Sequence, residues 1–319
     1  MAQSGTQLRE RLARGERIVA MGAWDVLSAK IMQRSGIGML SLNSFALSSV
    51  AGVPDVGLRT ATDLLDITFK MAGEVDLPLV LDIEQGFGSG PGHAAYWARE
   101  FERAGAAAVL IDDKGPVQSC GWLPGAAARI SVGPVAETAA KVRAMAEARR
   151  DGLVIVVRCS LGSGAAFDAD EEMRRLHAYA EAGADMLYAP KHATMANDLD
   201  RLRRARDELG KPLFVQFNPP GYIKAYVPAG SPDGRSIADR SYAELFEAGA
   251  SVIHCPQIYP VVYRALLEVL REIMADGSLR PAGPRMLSFD ELLDLVGYRD
   301  FQMDVDVATP TGRAVASGA

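Results

Sequence analysis

RAGAAAVLI at residues 103–111 is the stretch on which the fold turns. Gly105 fits the left-handed position just past a helix C-terminus, and the apolar run behind it reads as a buried strand. The same step recurs as RSGIGMLSL (34–42), EAGADMLYA (181–189) and EAGASVIHC (247–255). Between these copies lies a second helix-to-strand step: LPLVLDI (77–83), GLVIVVR (152–158) and KPLFVQF (211–217). With RIVAMG (17–22) they make eight strands, starting near 18, 38, 78, 107, 153, 185, 212 and 251. The intervening segments carry helical periodicity, as in Ala61–Ala72, Ala94–Ala104, Val135–Ala148, Glu171–Ala182 and Leu199–Leu209. Strand–helix alternation predicts a parallel sheet, and eight units predict a closed (β/α)8 TIM barrel, an α/β fold. The alternative is an open doubly wound sheet, but no Gly-rich dinucleotide fingerprint opens the first unit.

Length alone allows two domains of about 150 residues or one large α/β domain, and the eight strand starts favour the latter. The chain has 319 residues, 49% hydrophobic and 23% charged, which excludes a disordered chain or a small disulfide scaffold. A net charge of −6 argues against nucleic acid as partner, because phosphate contacts need a basic footprint. No apolar run reaches the ~20 residues of a membrane span, and the N-terminal stretch has no apolar signal-like core. Three cysteines, Cys120, Cys159 and Cys255, are an odd number and suit reduced thiols in a cytoplasmic protein.

Two regions depart from the repeat. The stretch Asp112–Gly133 after the fourth strand is long for a loop, and loops of that length are usually functional. The chain end holds a helix over Tyr263–Met274, a Gly/Pro-rich break and a second helix starting at Ser288, where Ser288 and Glu291 have capping-box spacing. We therefore expect a barrel over residues 1–276 and a helical extension with a disordered tail over 277–319.

The chemistry concentrates at the strand C-termini, where barrel active sites lie. Alternation along the third strand points Asp82 and Glu84 into the barrel mouth, with Asp112 on the neighbouring strand at the same level. Asp55 lies in the loop after the second strand, and Arg158 ends the fifth. Carboxylates gathered at one site repel unless a cation neutralises them, and oxygen-only ligands suit Mg2+ or Mn2+. Helix caps or ion pairs are the alternative use for these acids. Cys120, on a Gly-flanked loop above them, is placed to move a proton, or is an inert thiol.

These motifs together resemble the isocitrate lyase/phosphoenolpyruvate mutase superfamily, over roughly residues 8–300. GAWDVLSA (22–29), AGVPDVG (51–57), DIEQGFG (82–88), DDKGPVQSCG (112–121) and a fifth-strand Arg follow the order of the family's GAYDALSA, LGLPDLG, DxDxGYG, EDQ with KRCGH, and ARTD. The resemblance implies a Mg2+-dependent barrel enzyme acting on 2-oxo or 2-hydroxy carboxylic acids through a metal-stabilised enolate. It also implies a homo-oligomer, commonly a tetramer, in which the C-terminal helix packs on a neighbouring subunit. Residue by residue, Asp82 matches the metal-binding Asp. Glu84 stands where a second Asp is usual, and Asp112 where Glu is usual. Asp55 matches an acid that holds the metal's waters. Cys120 matches the lyase Cys that exchanges a proton, and Arg158 the Arg that pairs with substrate carboxylate or phosphate. The substrate would be lined by Trp24, Asn43, Ser44, Phe45, Gly121, Trp122, Arg158, Tyr188 and Asn218.

Departures from the family pattern share a direction. Asn43-Ser44-Phe45 replaces a glycine-containing anion cradle, and Gln118-Ser119 replaces a basic pair before Cys120. Trp122 replaces a His, and Ala189-Pro190-Lys191 replaces Pro-Glu or Glu-Ala. Lys191 and His192 are candidates to replace the missing charge. The expectation is a Mg2+-dependent C–C lyase on a substituted 2-hydroxy- or 2-oxo-dicarboxylate that is neither isocitrate nor methylisocitrate. The alternatives are hydrolysis or decarboxylation of an oxaloacetate-like acid, P–C bond chemistry, and a non-catalytic barrel.

Overall fold

The computed structural model describes residues 2–115, 120–121, 123, 131–161, 168–194, 197–219, 222, 234–299 and 301. Eight parallel strands close in sequence order: β1 (Ile18–Gly22), β2 (Met39–Leu42), β3 (Leu79–Asp82), β4 (Ala108–Asp112), β5 (Val154–Arg158), β6 (Met186–Tyr188), β7 (Leu213–Gln216) and β8 (Ala250–Cys255). Each begins within about one residue of its expected start. The surrounding helices include α1 (Gly5–Ala13), α2 (Val26–Arg34), α3 (Ser44–Val50), α4 (Ala61–Ala72), α5 (Pro91–Arg103), α6 (Val135–Ala148) and α7 (Ala169–Glu181). The short α8 (Lys191–Thr194), α9 (Leu199–Leu209) and α10 (Tyr242–Glu247) complete the ring.

Alternation along each strand divides the core in two. Ile18, Ala20, Met39, Val80, Ala108, Val154, Val156, Met186, Phe214 and Val252 fill the barrel. Leu40, Leu81, Val109, Ile111, Ile155, Val157, Leu187, Val215 and Ile253 face the helices. Leu8 of α1 joins the inner set, while Thr6 N–H donates to Asp151 O at 3.1 Å, so α1 closes the end opposite the active-site mouth.

Gly105 shows why the repeat needs glycine. Its φ is +102°, and a Cβ there would lie 2.5 Å from the Ala72 Cβ, so helix-to-strand turning and helix packing both require the bare backbone. The chain divides into two compact units, Met1–Tyr259 and Pro260–Ala319. The second holds α11 (Pro260–Asp276) and α12 (Phe289–Leu295), the latter capped by Ser288 and Glu291 as expected.

Candidate active site

The site is built from strand ends. β3 stops at Asp82, whose Oδ1 accepts the Glu84 N–H at 3.2 Å, and Glu84 adopts φ +52°. Both carboxylates reach one cavity, but Glu84 arrives through a left-handed turn rather than through strand alternation. The β4–β5 register sets Asp112 opposite Arg158. Arg158 grips Asp112 with two nitrogens, Nε to Oδ1 and Nη2 to Oδ2 at 2.7 Å, and Nη2 also donates to Asp82 Oδ2 at 3.1 Å. Lys114 Nζ lies 2.7 Å from Asp112 Oδ2 and 3.5 Å from Glu84 Oε2. Asp55 accepts from the Ser44 and Ser48 hydroxyls at 3.1 and 3.4 Å.

Charge is unevenly compensated across this cluster. Asp112 is fully buried, yet the Arg158 and Lys114 charges outweigh burial and hold it down to about 2. Burial pushes Asp82 up to about 7 against the pull of Arg158, with Glu84 and Asp112 adding to the rise. Burial and the Glu84 charge raise Asp55 to about 6. Asp112 is therefore satisfied by protein cations, whereas Asp55 and Asp82 are short of positive charge.

Asp55, Asp82 and Glu84 line a cavity with Arg158, Lys114, Asn43, Ser44, Phe45, Cys120, Gly121 and Tyr188. Tyr188 stacks on Phe214, 5.2 Å between ring centres, and the Arg158 guanidinium sits 5.3 Å over the Tyr188 ring. Asn43 caps α3 by accepting Ala46 N–H at 2.9 Å, so that backbone donor is already committed. Cys120 is half-buried, and its backbone N–H donates to Asp55 O at 3.1 Å, tying the thiol's loop to the acid's loop. Cys159 and Cys255 are buried free thiols.

Some expected residues lie elsewhere. Trp24 packs edge-on against Tyr259, 6.1 Å between ring centres, and is not among the cavity-lining residues. Asn218 does not line it either, and Trp122 lies outside the described residues. Asp112, expected among the metal ligands, is buried, does not line the cavity and is held by Lys114 and Arg158. Of the two candidate replacement charges, Lys191 lines the cavity, with Nζ 2.9 Å from Leu161 O, and burial lowers its amine to about 8. His192 instead bonds Glu172 through Nδ1 at 2.8 Å.

Sequence reasoning gave no role to Lys114, Ser41, Gln216, His254 or Gln257, all of which line the cavity. Period-two alternation carried to the ends of β7 and β8 would have placed Gln216 and His254 inward, two residues beyond Phe214 and Val252. His254 Nε2 lies 2.6 Å from Ser41 Oγ, and burial, helped by the Arg158 charge, holds the imidazole down to about 3. Above pH 6.5 both folded and unfolded chains carry it neutral. Below that pH the unfolded chain takes a proton that the folded chain refuses, so stability falls with acid. Between pH 6.5 and about 4.5 this contributes a loss of about 2–3 kcal/mol. Urea unfolding of His254→Asn is expected to show a correspondingly smaller loss over the same interval.

The donor set is consistent with a hard divalent cation. All candidate ligands are oxygens, and two of the carboxylates are short of positive charge. No three-donor cluster of acidic, His or Cys side chains is assembled among the described residues. The site thus suits an ion held through one or two carboxylates with waters completing its shell, the usual manner for Mg2+.

A closed barrel whose strand-end acids meet at one cavity is the arrangement of a barrel enzyme with its site at the strand C-termini. The chain belongs to the phosphoenolpyruvate phosphomutase family, whose model matches residues 8–274, and is an enzyme of the isocitrate lyase/phosphoenolpyruvate mutase type. It is 30% identical to 2-methylisocitrate lyase from Aeropyrum pernix, over 95% of this chain and 90% of the relative. The phosphoenolpyruvate phosphomutase structure from Streptomyces platensis subsp. rosaceus superposes with a TM-score of 0.79 at 28% identity, covering 95% and 98% of the two chains. Phosphonopyruvate hydrolase, solved with oxalate and Mg2+, gives 0.76 at 26% identity, covering 97% and 99%. Among the described residues no helix is long and apolar enough to cross a membrane.

Proposed function

We propose that the chain is a Mg2+-dependent C–C lyase acting on a substituted 2-hydroxy- or 2-oxo-dicarboxylate. The observation that carries this reading is the meeting of Asp55, Asp82, Glu84, Arg158 and Cys120 around one cavity. Asp82 and Glu84 would hold Mg2+ (or Mn2+), with Asp112 fixing Arg158 behind them and Asp55 binding the ion's waters. When bound, such an ion would supply positive charge that stabilises negative charge developing on the substrate. Asp112 locks the guanidinium plane of Arg158, which presents its edge to a substrate carboxylate. In cleavage of a 2-hydroxy acid the hydroxyl proton passes to water as the C2–C3 bond breaks and the 2-oxo product forms. The electron pair of the broken C–C bond passes to the other fragment, and Cys120 delivers a proton there.

The test is Mg2+-dependent release of pyruvate or glyoxylate from a panel of 2-hydroxy dicarboxylates. Cys120→Ala is expected to slow that release by about 10²–10⁴-fold. Full activity in this variant would contradict the proton-transfer role. It would favour the second reading, hydrolysis, decarboxylation or P–C chemistry, to which the similarity to phosphonopyruvate hydrolase and phosphoenolpyruvate phosphomutase lends support.

The same reading places the enzyme in the cytoplasm, as a homo-oligomer with no nucleic-acid or membrane partner. α11 buries none of its residues in the single chain, and Val262, Leu266, Leu270 and Met274 are exposed. An apolar stripe of this extent is covered when a second copy docks on it. Leu266→Asp with Leu270→Asp is expected to shift the sedimenting species to a smaller assembly. An unchanged sedimentation profile would place the subunit contact elsewhere.

A further inference from the structure

We propose that Lys141 is a positioning residue that holds the turn carrying Glu84 into the cavity. The inference rests on the reading of Glu84 as a cation ligand and names what keeps that ligand in place. Lys141 stands on α6, is 8% exposed and does not line the cavity. A lysine is rarely buried to this degree unless something takes up its charge. Here the ammonium is directed at backbone: Nζ donates to Gln85 O at 2.9 Å and to Gly88 O at 3.2 Å. These two carbonyls have no other protein partner among the described residues. Burial lowers the amine, and Glu137, one helical turn back, is the carboxylate whose charge opposes that.

The turn between β3 and α5 needs such a hold. Glu84 has φ +52°, Gly86 +93° and Phe87 +50°, so two non-glycine side chains sit close together in the left-handed region. That conformation is unfavourable for them and persists only where the surroundings fix it. Other contacts hold the ends of the turn. Glu84 O accepts Asp112 N–H at 2.7 Å, and the Phe87 ring packs on Trp97 and Phe101, 6.3 and 6.0 Å between ring centres. Lys141 pins the backbone on either side of Gly86 and Phe87, because one ammonium bonds both flanking carbonyls and α6 holds its stem. Water could bond either carbonyl but would not tie the pair to a helix. From this turn the Glu84 carboxylate reaches the cavity, 3.5 Å from Lys114 Nζ. Residues that orient a metal ligand from behind change metal affinity by about 10–100-fold when removed.

The experiment uses the metal-free full chain and two readouts. One is amide hydrogen exchange at Gly86 and Asp112, whose N–H groups bond Ile83 O and Glu84 O at 2.8 and 2.7 Å. The other is uptake of Mn2+ alone, followed by electron paramagnetic resonance of the free ion. Lys141→Met, similar in length but without charge or donor, is expected to exchange these amides about tenfold faster and to bind Mn2+ about 10–100-fold more weakly. Lys141→Arg, which keeps the charge and the donors, is expected to fall between the two proteins in both readouts. Leu202→Ala, a core change on α9, is expected to lower the unfolding temperature and to move neither readout. If Lys141→Met does not fold, Lys141→Gln takes its place. Unchanged exchange, faster exchange with wild-type Mn2+ affinity, or equal losses in Leu202→Ala overturns the proposal. A wild type that takes up no Mn2+ contradicts the cation reading, and faster exchange in Lys141→Met then still upholds the hold of Lys141 on the turn.

Discussion

Arg158→Gln is expected to lower kcat/KM by about 10³-fold or more and to destabilise the fold by about 3–5 kcal/mol. The two losses share one cause. Arg158 joins Asp82 to Asp112 across neighbouring strands, and both carboxylates are buried. Removing the guanidinium leaves Asp112 with Lys114 alone and removes the cation nearest Asp82, which burial already pushes up to about 7. On the proposed reading a substrate carboxylate would lose its planar donor at the same time. Arg158→Lys restores a charge but not the two-nitrogen grip on Asp112, so it is expected to recover stability in part and activity little. Steady-state rates and urea unfolding of both variants check this, and wild-type kcat/KM in Arg158→Gln would remove the residue from the site.

Asp113→Ala is expected to destabilise the protein by about 3–5 kcal/mol. This residue is fully buried next to the site acid, but it faces the other way. Its carboxylate accepts Ser160 N–H at 2.6 Å, the Tyr179 hydroxyl at 2.8 Å and Arg175 Nη1 at 3.2 Å. It therefore ties β4, the end of β5 and α7 together. Truncation strands one backbone donor and one hydroxyl in the interior and removes one acceptor of Arg175, which keeps Glu171 and Gly133 O. Urea unfolding of the variant against Asp170→Ala, a surface change on the same helix system, checks the size of the effect. A loss under about 1 kcal/mol would show that water replaces the carboxylate.

The barrel was legible because its signal is repeated. Four helix-ending glycines adopt the left-handed conformation that the pattern demands, Gly36, Gly105, Gly183 and Gly249. The apolar runs behind them leave little choice of register or face. Asp55, Asp82 and Glu84 do line one cavity, as their motif positions led us to expect, whereas Asp112 does not. What was not legible depends on contacts between distant segments. The Asp112–Arg158 grip follows from the β4–β5 register, which no local pattern encodes. Glu84 departs from strand alternation because β3 ends two residues before it. Lys114 turns back onto Glu84 and Asp112 next to an isolated bridge with Val132. His254 and Gln257 belong to no motif, and only the closed barrel brings them to the cavity. Trp24 and Asn218 were expected at the site from their motif positions alone; neither lines the cavity, and Trp24 packs on Tyr259 instead.

The central claim is that the Asp82 corner binds Mg2+ and a carboxylic acid as one unit. Its most direct test is calorimetric titration of oxalate into the full chain, with and without Mg2+, for wild type and Asp82→Ala. Oxalate binding is expected to require Mg2+ and to weaken by about 100-fold or more in the variant. Equal binding with and without Mg2+, or equal binding by the two proteins, would contradict it.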